Sequence, residues 1–276
     1  MQVGKQGVAD TGARRVLGNL GCWFALIVRP RRIPAARLVP LTARLACGAL
    51  AAVVLVALAM LAFDFRAMMF AHTLPLWVVD TFNEITDFGQ GGWFLIPIGA
   101  FIVLAAILAT PAAGRVGNRV IVSLIVRLEF VFLAIALPGL TVTIVKRLIG
   151  RVRPSDLGPF AYMPWSWQPA YASMPSGHAT TASAAAIAIG AVWPRARVPM
   201  WIFAGVIALS RVVITAHYVS DVIAAAFVGA FGAILVRNWF AARRLGFVAK
   251  PDGTVHALPG PSWRRLKAVA RSLIGP

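Results

Sequence analysis

Three short stretches hold the side chains best suited to chemistry. In MPSGH, Met174 to His178, Pro175 closes a loop, Ser176 is placed to cap a following helix, and Gly177 and His178 fall in its first turn. First-turn N–H groups lack helical partners and carry partial positive charge, so they cradle an anion. Gly177 lets an oxyanion approach the main chain closely, with His178 beside it. In SRVVITAHYVSD, Ser210 to Asp221, His217 and Asp221 are spaced i,i+4 and share a face if a helix begins near His217. A carboxylate bonded to one ring nitrogen fixes the tautomer and leaves the other as nucleophile or base. Arg211 precedes His217 by six residues, about 9 Å along a helix. In KRLIGRVRP, Lys146 and Arg153 are two helical turns apart, and Pro154 stops the helix. Arg153, before a proline, is pushed toward an extended conformation. Its planar fork and the point charge of Lys146 suit a tetrahedral anion such as phosphate. Arg147 and Arg151 lie on a neighbouring stripe and read as solvated or as headgroup contacts.

The elements that must position these groups are apolar. Of 276 residues 59% are hydrophobic and 13% charged, where a soluble domain carries about 25% charged. Near-uncharged runs long enough to cross hydrocarbon make this a polytopic membrane protein. Six spans are expected, at 45–63, 93–110, 120–145, 177–193, 198–215 and 219–240. No internal repeat of the transporter kind is present. A shorter apolar run, Val16 to Val28, is followed by RPRRIP instead of a small-residue cleavage site, and reads as an interfacial helix or re-entrant stretch.

The formal charge of +18 would suggest nucleic acid in a soluble protein, but its distribution follows the membrane. Lys5, Arg14, Arg15, Arg29, Arg31, Arg32, Arg37 and Arg44 precede the first span, and Arg115, Arg119, Arg195 and Arg197 occupy alternate connections. The tail from Arg237 onward adds eight cations, while the 64–92 connection has Arg66 against Asp64, Asp80, Glu84 and Asp87. That is the positive-inside pattern, with both termini cytoplasmic. The basic tails are expected to meet anionic lipid headgroups. Nucleic-acid binding is excluded, because no aromatic-interleaved basic face accompanies the charge. Cys22 and Cys47 build neither a disulfide framework nor a metal cluster. Against the pattern, Lys146, Arg147, Arg151 and Arg153 crowd an outer connection, and Arg211 sits in the outer half of a span. Charges at such positions mark a functional site.

Taken together, K-x6-R-P (Lys146 to Pro154), P-S-G-H (Pro175 to His178) and S-R-x5-H-x3-D (Ser210 to Asp221) resemble the type 2 phosphatidic acid phosphatase family of integral-membrane lipid phosphatases, related to vanadium haloperoxidases. The motifs cover 146–221, and the six-span layout extends the likeness over 45–240. The resemblance implies an all-α, six-helix transmembrane bundle and metal-independent dephosphorylation through a phosphohistidine, with no cofactor. It implies that His217 attacks phosphorus, Asp221 orients it, and His178 protonates the leaving oxygen and then activates water. Lys146, Arg153, Arg211, Ser176 and the Gly177 N–H would bind the phosphoryl oxygens. The residues fit this independently, since phosphoryl transfer needs positioning and cationic stabilisation above all.

Three regions are therefore expected: a basic cytoplasmic segment 1–44, a phosphatase domain 45–240 and a basic cytoplasmic tail 241–276. The tail should be a loop followed by a short basic amphipathic helix. The aromatic loop with Tyr162, Trp165, Trp167 and Tyr171 favours the headgroup layer, as an interfacial anchor in preference to a lid over the substrate. Glu84 and Asp87 either shape substrate selectivity or, on the favoured reading, cap a helix. Arg127 and Glu129 pair with other helices or water, and His72 and His256 are incidental. The substrate is a lipid phosphate of the phosphatidate, phosphatidylglycerophosphate, undecaprenyl diphosphate or lipid A class, met at the periplasmic face. A phosphotransferase of the same fold, or an anion transporter, is the competing reading. The oligomeric state is not encoded in any of these signals.

Overall fold

The computed structural model describes residues 3–32, 39–109, 114–154, 158–250 and 252–274. The side chains of Lys5, Arg37 and Arg44, counted in the N-terminal cationic cluster, lie outside the described residues. In chain order the elements are α1 (Val3–Val28), α2 (Val39–Ala62), α3 (Asp64–Ala71), α4 (Leu76–Thr86), α5 (Gly92–Leu108), α6 (Gly114–Ile149), α7 (Gly177–Val192), α8 (Arg197–Val213) and α9 (Val219–Ala242), then strands β1 (Phe247–Ala249) and β2 (Val255–Ala257), and α10 (Trp263–Ile274). The protein is an all-α membrane protein, and each of the six expected spans corresponds to a helix: α2, α5, α6, α7, α8 and α9.

Length and apolarity single out four spanning stretches among the described residues: Leu76–Leu108, Gly114–Ile149, Pro194–Val213 and Val219–Ala242. A fifth is a helix pair bent by 53° where α2 passes into α3. The sixth, α7, has 16 residues, about 24 Å, shorter than the roughly 30 Å hydrocarbon layer. Most of its residues, from Ala179 to Gly190, are buried in protein, so its length is set by its neighbours more than by lipid.

The 64–92 connection is not the loop its acidic residues suggest. It folds into α3, α4 and a 3-10 turn at Asp87–Gly89. Asp80 and Glu84 are one turn apart on α4 and Asp87 follows in the 3-10 turn, and all three are exposed. The tail also gains structure: β1 and β2 pair antiparallel, Phe247 opposite Ala257. Asp252 Oδ1 accepts from Thr254 N at 2.8 Å, beside Gly253 at φ +78°; Asp-Gly is the hairpin signal in KPDGT.

By its contacts the chain forms two compact units, residues 1–38, 96–132 and 238–276, and residues 39–95 and 133–237. In the first, the run read as interfacial is the C-terminal half of α1. Trp23 packs with Ala106, Ala109, Ile121 and Ile125. Asn19 Nδ2 donates to the carbonyls of Ala106 and Ala109 at 2.9 and 3.1 Å, satisfying acceptors that the end of α5 leaves free. Arg127 bonds the Ser123 carbonyl of its own helix and the Leu258 carbonyl, at 2.6 and 2.8 Å.

In the second unit α7 packs most extensively on α8, through Ala182 and Ala186 against Ala204 and Ile207. Ala179 meets Val222 and Ala225 of α9. Small residues permit this: a Cβ on Gly229 would stand 2.4 Å from the Thr180 carbonyl oxygen, and one on Gly232 2.4 Å from Pro138 Cγ. Thr180 and Ser183 return their hydroxyls to carbonyls of Ser176 and Ala179, both at 2.8 Å, so α7 is buried without leaving them unpaired.

Candidate active site

All the sequence-selected residues lie in the second unit, and the ends of α6, α7, α8 and α9 bring them together. Lys146 is in the last turn of α6. Gly150 then ends the helix at φ +64°, its N–H on the Lys146 carbonyl at 3.1 Å. A Cβ there would stand 1.8 Å from the Met163 carbonyl oxygen, so the return of the chain requires glycine. The following segment is clamped from both sides. Val152 N bonds Ala161 O at 3.0 Å, Arg153 N bonds Ala170 O at 2.8 Å, and Ser173 N bonds Arg151 O at 3.1 Å.

The clamp corrects the reading of Arg151. It is neither solvated nor at a headgroup: it is fully buried and holds two carboxylates. Its Nη1 donates to Asp221 Oδ1 at 2.6 Å and Nη2 to Asp64 Oδ2 at 2.7 Å. Ser220 Oγ at 2.7 Å and the Pro159 carbonyl at 2.9 Å complete the shell, with the Tyr218 ring 4.4 Å from the guanidinium carbon. Burial pulls this guanidinium down, but Asp221 and Asp64 more than offset it and hold it above its ordinary value. Asp64, counted as a loop charge, is likewise fully buried and accepts from Ser220 N and Oγ at 2.9 and 2.5 Å. Arg147 is half-buried to one side, donating to the Trp167 carbonyl at 2.7 Å and bracing the aromatic loop. Trp165 and Trp167 project outward, 74% and 81% exposed, as interfacial side chains do.

His217 does not sit on α9, which begins at Val219, and α8 does not continue to it. A tight turn intervenes, with Thr215 at φ +52° and both Ala216 N and His217 N on the Arg211 carbonyl at 3.1 Å. The six-residue separation is thereby folded back on itself, not spread along 9 Å of helix. His217 Nδ1 lies 3.7 Å from Asp221 Oδ2 and 3.5 Å from Ser173 Oγ. Ser173 donates to that same carboxylate oxygen at 2.6 Å, and Tyr218 N at 3.0 Å. Nδ1 therefore faces acceptors, which favours the tautomer with its proton there and the lone pair on Nε2. Burial pushes His217 below the ordinary imidazole value, partly countered by Asp221 and reinforced by Arg211 and Arg153.

Ser176 precedes α7 as expected, but its hydroxyl does not cap the helix. Its N–H bonds the Asp221 carbonyl at 3.3 Å, and its buried Oγ has no partner. Arg153 Nε and Arg211 Nε are also buried without acceptors. Arg211 spends Nη1 on Thr86 Oγ1 at 2.9 Å, the same oxygen that lies 2.9 Å from Ser210 Oγ. Open space surrounds the position a Gly177 Cβ would occupy. Buried donors without acceptors are rare, and these stand around one helix N-terminus. Arg153 and Arg211 are in mutual electrostatic reach of both histidines, and Arg153 of Lys146. Such a set has the charge and the free donors to hold a tetraoxyanion.

Asp87, read as a cap, is the C-cap of α4: its N–H bonds the Glu84 and Ile85 carbonyls, while its carboxylate accepts from Gln90 Nε2 at 2.9 Å and interacts electrostatically with His178 and Arg211. Gly89 presses on His178: a Cβ there would lie 3.2 Å from His178 Cβ and 2.6 Å from Ile207 Cγ2. Gly89→Val is therefore expected to displace the imidazole and lower kcat about 10- to 100-fold, checked by steady-state phosphate release, with KM changed less than threefold. Among the described residues no three His, Cys, Asp or Glu side chains gather as metal ligands.

The PAP2 superfamily model matches residues 128–245, a range that takes in every residue of the site except Asp64, Thr86, Asp87 and Gly89. A lipid A 1-phosphatase of Rhizobium etli is 35% identical over 204 residues, covering 72% of this chain and 86% of that protein. A lipid A 1-phosphatase of Rhizobium johnstonii is 33% identical over 210 residues, covering 72% and 82%. No solved structure matches the chain. With the three motifs converged on one anion-shaped site and relatives aligned along most of their length, the chain belongs to the PAP2 superfamily of phosphatases, hydrolases of phosphate esters.

Proposed function

We propose that the protein removes a phosphate from a lipid through a phosphohistidine on His217, with lipid A, carrying its 1-phosphate, as the preferred substrate. The observation that carries the mechanism is the pairing of a buried imidazole, its Nδ1 turned to Ser173 and Asp221, with buried donors that have no acceptor. Arg153, Arg211, Lys146, Ser176 Oγ and the Gly177 N–H take the phosphoryl oxygens and spread the charge that builds on them. The His217 Nε2 lone pair forms the N–P bond as the P–O bond to the lipid breaks, and His178 delivers its proton to the departing oxygen. His178, now neutral, takes a proton from water; the hydroxide forms the new P–O bond and the N–P bond breaks, releasing inorganic phosphate. Asp221 stabilises the positive charge on the His217 ring between the two steps.

A lipid substrate is supported by an apolar groove of about 380 Å³ between α3, α8 and α9, lined by Phe70, Leu74, Leu209, Val212 and Ile223. Val212 and Val219 of that groove also wall the back of His217, so an acyl chain there would leave its headgroup near the site. The positive-inside pattern supports cytoplasmic basic segments, 1–44 and 241–276, and a phosphatase domain, 45–240, whose site opens to the periplasm. The lipid A choice rests on the two relatives.

Phosphate release should be assayed with the purified enzyme on lipid A, phosphatidate, phosphatidylglycerophosphate and undecaprenyl diphosphate. The expected order puts lipid A first in kcat/KM by at least about tenfold, since discrimination of about 1–3 kcal/mol is what pocket contacts supply. Phosphate lost from the other sugar carbon, or a higher kcat/KM on a glycerophospholipid, overturns the substrate. Phosphate appearing on a lipid acceptor instead of in solution identifies a transferase.

A further inference from the structure

The first unit holds a second collection of cations that the phosphatase chemistry does not use. Arg29, Arg119, Arg127 and Arg244 line a groove of about 400 Å³, together with Asn118 and Ser123. No carboxylate lines it, and among the described residues none of the four arginines is ion-paired. The groove is a built feature and not merely a solvated fringe. Arg127 is half-buried and fixed by three bonds: Nη1 to Ser123 O and Oγ at 2.6 and 2.7 Å, and Nη2 to Leu258 O at 2.8 Å. A Cβ on Gly260 would approach Arg127 Nε to 3.4 Å, so the segment after β2 lies against the guanidinium. Arg29 is half-buried too; its Nη2 donates to the Arg243 carbonyl, while its Nε is buried with no partner. Burial, then repulsion from Arg32 and Arg243, lowers Arg29 from its ordinary value. Arg119 and Arg244 are exposed at the rim.

Guanidinium groups held together without an anion repel one another, and a fork of free N–H donors matches phosphate oxygens. The groove is also lined by Leu26, Val122 and Leu245, so it offers apolar surface beside the charge. A headgroup attached to acyl chains satisfies both surfaces; free phosphate satisfies one. Basic pockets among membrane-embedded helices take anionic headgroups for this reason. We propose that this groove is a binding site for the phosphate-bearing headgroup of an anionic phospholipid that is not the substrate.

The test compares two variants of equal net charge, Arg119→Gln/Arg244→Gln in the groove and Arg264→Gln/Arg265→Gln on α10. The probe is phosphatidylglycerol in mixed micelles with phosphatidylcholine, and its retention is read by native mass spectrometry of the purified full chain. Removing two groove cations should weaken retention roughly 10- to 30-fold, while the α10 variant stays within about threefold of wild type. Both variants should keep the wild-type melting temperature and basal phosphate release in neutral detergent, which separates loss of the site from loss of the fold. Equal weakening by the two variants would reduce the groove to general surface charge and overturn the proposal. So would unchanged retention in the groove variant, or displacement of the lipid by millimolar inorganic phosphate, which would identify a free-phosphate site.

Discussion

His217→Ala releases no inorganic phosphate from any lipid offered to it: the expected fall in kcat is at least about 10³-fold, equivalent to about 4 kcal/mol of barrier. On the proposed mechanism the nucleophile is the one part of the site that no neighbour replaces. His178, the other imidazole, stands at the first turn of α7, whereas His217 alone has Ser173 and Asp221 behind Nδ1. The anion cradle is untouched by the substitution, so the variant should still bind vanadate or phosphate, weakly, and melt near wild type. Undiminished turnover, or a strict requirement for added Mg²⁺, would sink the phosphohistidine mechanism. The wild-type pH profile tests the same assignment. On the proposed mechanism neutral imidazole is the attacking form, and burial lowers His217, so the acid limb of kcat/KM should fall below the ordinary value of about 6.5. The sign carries over to stability. The unfolded chain takes up the His217 proton first as pH drops, so this group costs the fold stability progressively from about 6.5 down through its lowered folded value. An acid limb above 6.5 would point to a different titrating group.

The sequence made the residues of the proposed anion cradle legible because each member sits in a local pattern whose chemistry is local. Ser176, Gly177 and His178 are consecutive; Arg211, His217 and Asp221 lie on the end of α8, the turn after it and the start of α9; Lys146 and Arg153 flank one helix terminus. The helices themselves were legible from long apolar runs. What remained hidden are contacts at long sequence separation. Arg151 reads as one more cation in a basic stretch until Asp64, 87 residues earlier, and Asp221, 70 residues later, close on it. Asp64 reads as an outer-loop acid because nothing near it announces the bend between α2 and α3. Ser173 lay in plain view three residues before Ser176, but a lone serine in a loop has no spacing that predicts a carboxylate partner 48 residues away. Thr86 is similar, meeting Arg211 from 125 residues off. One signal did exist for Arg151: the positive-inside pattern assigns its connection to the outer side, where a cation is disfavoured and demands a partner.

Arg151→Met is expected to be the most damaging substitution outside the anion cradle itself. One cation between Asp64 and Asp221 leaves that cluster a single net negative charge, held without solvent. Removing the guanidinium leaves two buried carboxylates facing a methyl thioether, and breaking a buried ion pair this way costs about 3–5 kcal/mol. The melting temperature should fall accordingly, and kcat should fall about 10²- to 10³-fold in the fraction that folds, because Asp221 loses the bond that aims it at Ser173 and His217. Arg151→Lys is expected to recover little, since a point charge cannot reach Asp64, Asp221 and the Pro159 carbonyl together. The decisive comparison adds Asp64→Asn to Arg151→Met. That pair removes one of the stranded charges, so thermal stability should rise well above the single variant while kcat stays low and KM for the lipid stays near wild type. Recovery of both together would make the cluster a structural staple only. Recovery of stability alone assigns it to positioning: its residual negative charge waits for the positive charge that develops on the His217 ring, and the fold tolerates the strain of a buried, unbalanced triad so that this charge is already in place when phosphorus arrives.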